Sequence, residues 1–324
     1  MPVPTISLAA SLLRAGRLVA IPTETVYGLA ADAANSAAVR RIFLAKGRPG
    51  TNPLIVHVAD ASIARRYAAI WPDAASRLAE RFWPGPLTVI LPKIPAIVSE
   101  VTAGLGTVGL RVPAHPLTLE LLRKFDGPLA APSANRSTRI SPTTARHVRE
   151  ELGDAVDLIL DGGPCTVGIE STVLDLSGGR PRILRPGGVS QQEIERIIGP
   201  VECGFLQGDS SQPAASPGQH LVHYAPTTPA FRFLSTQKTD LLAHARAATG
   251  PVAILVLTCV DLPAGRLVQM PADPSAYARN LYQKLRELDS AALRAIYIEL
   301  PPDEPEWQAI HDRLRRATAL LPEL

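Results

Sequence analysis

Between Ile6 and Leu320 the chain alternates short apolar runs of strand length with segments whose apolar residues recur at helical spacing. The alternation lapses once, from Gly199 to Pro229. Strands and amphipathic helices that alternate in this way bury their apolar faces against one another in an α/β fold, and the lapse cuts that fold in two. In the first part, helices are predicted over Ile6–Ala15, Asn35–Ala45, Asp73–Phe82, Leu117–Phe125, Thr143–Leu152 and Gln191–Ile198. Strands are predicted at Leu18–Ile21, Leu54–Val58, Leu87–Leu91, Val108–Val112, Leu129–Ala131, Leu158–Leu160, Ser171–Leu176 and Arg182–Leu184. The two kinds mix without strict alternation, so the sheet is expected to be mixed. Asn35 is the expected N-cap of its helix, and Ser141 that of the helix at Thr143, with Pro142 in its first turn. In the last part, strands at Phe231–Leu234, Val252–Leu257, Leu267–Met270 and Ile296–Glu299 alternate with helices at Thr239–Ala247, Ala276–Leu288 and Pro305–Leu320. That pattern predicts a smaller Rossmann-like parallel α/β domain. The expected division is 1–199, a linker over 200–229, and 230–324.

A chain of 324 residues suits two domains, each large enough for its own core. Its 31 prolines are nearly twice the usual share of about 5%, so many loops have a fixed backbone. A net charge of +3 gives no case for nucleic acid as the main ligand. Cys165, Cys203 and Cys259 form no CxxC pair, which excludes a zinc cage or a disulfide framework of the usual spacing. Pro2 and Pro4 lead at once into an amphipathic pattern, so no secretory leader is expected. The longest apolar run is too short to cross a bilayer. The expectation is a cytoplasmic protein with no membrane contact.

Familiar motifs fail. Gly104-Leu105-Gly106-Thr107-Val108-Gly109 has dinucleotide-fingerprint spacing but runs into a strand and opens no helix. No Walker sequence and no nucleophile elbow is present. What remains is a set of polar residues at the ends of apolar strands, where α/β active sites lie. Thr23-Glu24-Thr25, Lys46-Gly47-Arg48-Pro49, Asn52, His57, Ser133, Asn135 and Arg185 are of this kind. Arg111 sits between Leu110 and Val112 and needs an anionic partner. Several basic groups at comparable points of one domain suit a substrate carrying several phosphates.

The blocks Pro22–Leu29, Lys46-Gly47-Arg48-Pro49 with Asn52-Pro53-Leu54, Trp83–Thr88, Arg111-Val112-Pro113 and Pro132-Ser133-Ala134-Asn135 resemble the YrdC-like family, in the same order. With His223-Tyr224-Ala225-Pro226 and the added C-terminal domain, the chain resembles the long, two-domain threonylcarbamoyl-AMP synthases. The resemblance implies a YrdC-like twisted mixed-sheet catalytic domain. It implies a nucleotidyl transfer joining L-threonine, bicarbonate (or CO2) and ATP, with Mg2+ carried by the triphosphate. It further implies that the product serves t6A formation at position 37 of tRNA through a tRNA threonylcarbamoyl transferase complex, and leaves direct tRNA contact open.

By position, the resemblance implies that Arg48, Asn52, Thr107, Ser133, Ser141, Arg185 and Tyr224 contact ATP. It implies that Thr25, His57, Arg111, Ala131 and Ser171 surround threonine, Ala131 through its backbone. Lys46 is expected on the phosphates or on the carboxylated intermediate, and with Arg48 it is the expected catalytic pair. The linker with Tyr224 is expected to act as a lid. An RNA-binding module, a related carbamoyl transfer enzyme and a nucleotide-binding regulator are the competing expectations.

Overall fold

The structure, a computed structural model, describes residues 5–204, 223–237, 239, 241, 243, 245, 250–257 and 266–321. Gln207–Pro213, the centre of the expected linker and lid, lies outside these residues, as do Cys259 and much of the expected helix over Thr239–Ala247. The described chain forms two compact units. One takes in the residues up to Ser137 and from Ser141 to 204; the other takes in Thr138–Ile140 and the residues from 223 onward.

The first unit is built on β1 (Val19–Ile21), β2 (Gly28–Asp32), β3 (Ile55–His57), β4 (Leu87–Pro92), β5 (Thr107–Arg111), β6 (Leu129–Ala130), β7 (Leu158–Ile159), β8 (Thr172–Asp175), β9 (Arg182–Arg185) and β10 (Glu202–Cys203). They form one sheet in the order β10-β9-β8-β4-β5-β3-β6-β2-β1-β7. The expected mixed sheet is present: β3 runs parallel to β5, whereas β4 and β5 run antiparallel. Helices Asp73–Phe82 and Gln191–Ile198 match the predicted bounds, and Ser190 with Glu193 closes a capping box on the second.

β2 was not foreseen. Its sequence Gly-Leu-Ala-Ala-Asp has weak strand propensity, but β1 on one side and β6 on the other bury it and supply its ladder. Helices Ala61–Arg65 and Ser99–Thr102 also carry no periodic signal, being too short to show one. The helix expected from Thr143 starts at Ala145, where Thr144 accepts from the His147 amide. Ser141 does not cap it.

In the second unit β11 (Ala230–Phe233), β12 (Val252–Val256), β13 (Arg266–Gln269), β14 (Ala295–Glu299) and β15 (Ala319–Leu320) lie in the order β13-β12-β14-β11-β15, all pairs parallel. β12 and β14 are buried along their whole length, as strands covered on both faces must be. The segment expected as one helix over Pro305–Leu320 is a short 3-10 turn, a helix over Gln308–Ala317 and then β15. Thr138–Ile140 is held here by Arg139, whose Nη2 lies 2.9 Å from Asp289 Oδ2.

Candidate functional site

The loop from Pro22 to Tyr27, between β1 and β2, is tied to three other segments of the first unit. Its Tyr27 amide donates to Pro142 O (2.8 Å), and Tyr27 O accepts from the Ala134 amide (2.8 Å). Glu24 O and Thr25 O accept from the amides of Val167 (2.7 Å) and Gly168 (3.2 Å). Thr23 Oγ1 donates to Val26 O and accepts from the amides of Thr25 and Val26, which fixes the loop's own shape.

On this loop Glu24 supplies the anion that Arg111 requires. Arg111 Nη2 donates to Glu24 Oε1 at 2.6 Å and to Thr25 Oγ1 at 2.9 Å, and Arg111 Nε donates to Gly85 O at 3.2 Å. Glu24 Oε2 takes the Ala114 amide at 3.0 Å. Arg111 and Glu24 are both buried. Arg111 Nη1 has no hydrogen-bond partner among the described residues, so the guanidinium is clamped along one edge and available along the other. Such an edge suits a carboxylate. Glu24 stood in the candidate segment Thr23-Glu24-Thr25, but no role in binding was expected of it.

His57 lies beside Arg111 in the β3–β5 register, and alternation along β5 puts Thr107, Gly109 and Arg111 on one face. Burial and the neighbouring guanidinium push the His57 imidazole down to about 3. A ring so reluctant to hold a proton is a poor acceptor for an ammonium proton at neutral pH. Its Nδ1 is buried without a hydrogen-bond partner among the described residues. An unfolded-chain histidine takes its proton near 6.5, so between about 6.5 and 3 the unfolded state binds the extra proton and stability falls as pH drops. Urea unfolding at pH 7 and pH 5 is expected to show this loss, and His57→Gln is expected to reduce it.

The second group gathers at the end of the helix Ser36–Lys46. Asn35 accepts from the Ala38 amide at its start. At its close Gly47 adopts φ 59°, with the Gly47 amide on Leu44 O and the Arg48 amide on Phe43 O. This left-handed closure turns the chain sharply between Lys46 and Arg48. Lys46 Nζ donates to Ser133 O and Asn135 O, and burial followed by the charge of Arg48 holds its ammonium well below the usual lysine range. Lys46 therefore fastens the Pro132–Asn135 loop. Arg48 Nη2 reaches Pro53 O at 3.1 Å, and the nearby Asn52 Oδ1 is buried with no partner among the described residues. The Ala131 amide is spent on Ile55 O (3.0 Å), which leaves its carbonyl as what it can offer a ligand.

The third group spans β8 and β9. Arg185 Nη2 donates to Ser171 O at 2.9 Å and to Ser171 Oγ at 3.2 Å, and Ser171 Oγ lies 2.8 Å from Thr88 Oγ1. Gly187 makes this packing feasible, since a Cβ there would sit 2.4 Å from Glu170 O. Ser141 Oγ donates to Glu170 Oε1 at 2.5 Å. Burial pushes the Cys165 thiol up to about 12, which rules it out as a thiolate nucleophile.

Tyr224 belongs to the second unit. It is buried there with φ 61°, an uncommon conformation for a side-chain-bearing residue. Tyr282 stacks on its ring with centroids 5.8 Å apart, and Arg313 lies 4.9 Å from the ring centroid. Among the described residues no group of three or more His, Cys, Asp or Glu side chains is placed to hold a metal, and no helix is long and apolar enough to cross a membrane.

Buried cations, an arginine with an available Nη1 and orphaned polar atoms make a setting suited to anions. The family model described as Telomere recombination, covering Sua5, YciO and YrdC, matches residues 11–187. The chain belongs to the Sua5/YciO/YrdC family. A further model, Threonylcarbamoyl-AMP synthase, C-terminal domain, matches residues 189–319, so the chain is of the family's two-domain form. The threonylcarbamoyl-AMP synthase of Bacillus subtilis is 43% identical over 326 residues, covering 97% of this chain and 93% of that protein. The Pyrococcus abyssi synthase is 39% identical over 320 residues, covering 97% and 94%. The crystal structure of P. abyssi Sua5 complexed with L-threonine superposes on the present chain with a TM-score of 0.90, 38% identity, and 98% and 96% coverage.

Proposed function

We propose that this chain is an L-threonylcarbamoyladenylate synthase, forming threonylcarbamoyl-AMP and pyrophosphate from L-threonine, bicarbonate or CO2, and ATP. The observation that carries the reading is the Arg111 guanidinium, clamped by Glu24, Thr25 and Gly85 with its Nη1 edge available, beside the neutral His57. The relatives that match over nearly their full length bear the synthase name, and one was crystallised with L-threonine.

In the proposed reaction the threonine amine adds to CO2 and loses a proton, giving a carbamate. A carbamate oxygen then attacks the α-phosphorus of ATP, the bond to the bridging oxygen breaks, and pyrophosphate leaves with that electron pair. Both reactants are anions, so the work is charge neutralisation and alignment. Arg111 would take the threonine carboxylate, with Thr25, Ser171 and the Ala131 carbonyl around it. Arg48 and Arg185 would meet the phosphates, with Asn52, Thr107, Ser133 and Ser141 on the nucleotide. Lys46 would shape the Ser133–Asn135 loop that meets them. Glu24 and Glu170 are engaged by Arg111 and Ser141, so Mg2+ would come on the triphosphate with its waters. The product would pass to a tRNA threonylcarbamoyl transferase complex.

Incubation with ATP, bicarbonate and Mg2+ is expected to release pyrophosphate only when threonine is added. Release that ignores threonine would sink the reading and favour a plain nucleotide hydrolase.

A further inference from the structure

The second unit carries a cavity that the proposed synthase chemistry does not use. It measures about 590 Å³, within the range of ligand sites. Its walls come from the carboxyl ends of three parallel strands: Leu234 and Ser235 follow β11, Leu257 follows β12, and Leu300 follows β14. β12 and β14 are neighbours, and the chain passes from β12 to β13 on one side and from β14 to β15 on the other, so the connections from these two strands leave in opposite directions. Parallel α/β sheets bind ligands in the crevice outside strand ends at such a switch point.

One wall is basic. The helix Gln308–Ala317 presents His311 and Arg315 one turn apart, and Arg232 reaches the same space from β11. Arg232 Nη1 is held by Thr318 O and, at 3.4 Å, by Thr318 Oγ1, while Arg315 Nε reaches His311 O at 3.4 Å. Neither guanidinium has a carboxylate partner among the described residues. Burial and then the charge of Arg315 lower the proton affinity of Arg232, the expected effect of gathering like charges in a half-enclosed space. The acids near the cavity are otherwise engaged or peripheral. Glu299 is buried and accepts from Ser235 Oγ and from the Leu257 amide, both at 2.8 Å, and so pins two strand ends together. Asp303 lies on the exposed rim.

We propose that this cavity binds a small phosphate ester of nucleotide size. The phosphate would lie between Arg232 and Arg315, and the remainder of the ester would fill the rest of the cavity. Two guanidinium groups on one wall match a phosphate dianion, whose oxygens accept paired N–H donors.

Calorimetric titration of the full chain with AMP, ribose 5-phosphate and adenosine tests this. AMP also fits the proposed synthase site, so the comparison is between wild type and Arg315→Glu, a change at an exposed position outside that site. Wild type is expected to bind one more equivalent of AMP than Arg315→Glu, or to bind the second equivalent at least about tenfold more tightly, a charge-assisted contact being at stake. Ribose 5-phosphate is expected to show the same difference, and adenosine none. Threonine-dependent pyrophosphate release and the melting temperature are expected to be alike in the two proteins. Identical AMP stoichiometry and affinity in both, or a difference that adenosine reproduces, would overturn the proposal.

Discussion

Arg111→Ala is expected to lower turnover by at least about 10²-fold, the scale seen when one charge-stabilising donor is removed from a preorganised site. The same change is expected to cost about 3–5 kcal/mol of stability, because Glu24 would be left as a buried carboxylate whose one remaining described donor is the Ala114 amide. The two losses separate in a cycle with Glu24→Gln. If Glu24 acts by orienting Arg111, the double variant recovers part of the stability lost in Arg111→Ala and none of the turnover. Steady-state kinetics with threonine varied, together with urea unfolding of the four proteins, measure both. An unchanged KM for threonine in Arg111→Ala would remove the carboxylate clamp from the account.

Lys46→Met is expected to have the second largest effect. Methionine keeps much of the side-chain volume but removes the ammonium that holds Ser133 O and Asn135 O. Stability is expected to fall by about 1–3 kcal/mol, the scale for a carbonyl left without its donor, and the relief of a buried charge offsets part of that. The functional loss is expected in KM for ATP more than in KM for threonine, since the loosened loop carries the residues proposed to meet the nucleotide. Arg48→Ala, by contrast, should lower kcat with the loop in place. A Lys46→Met protein with unaltered ATP kinetics would show that the loop holds its shape without the ammonium.

Much of the fold was legible because its helices carry clear periodicity and local stop signals. Asn35, the expected N-cap, opens one of them. β2 escaped notice because tertiary burial, and not the propensity of its Gly-Leu-Ala-Ala sequence, makes it a strand. The requirement for an anion near Arg111 was legible, but its identity was not. Glu24 is 87 residues away in sequence and is brought close only when β5 and the β1–β2 loop come together. Lys46 was expected, through the resemblance, on the phosphates or on the carboxylated intermediate, and its contacts within the protein were not legible. The left-handed turn at Gly47 and the carbonyls of a loop almost ninety positions on place its ammonium within the protein frame. Ser141 looked like a helix cap from its spacing before Pro142, yet its hydroxyl is committed to Glu170, a contact that no local pattern reveals.

The most direct test of the central claim follows the carbon. Incubation of the chain with ATP, L-threonine, Mg2+ and 13C-labelled bicarbonate, quenched early and resolved by mass spectrometry, is predicted to give an adenylate that contains threonine and one labelled carbonyl carbon, in step with pyrophosphate. Pyrophosphate accompanied by AMP alone, or an adenylate of threonine without the labelled carbon, would contradict the account.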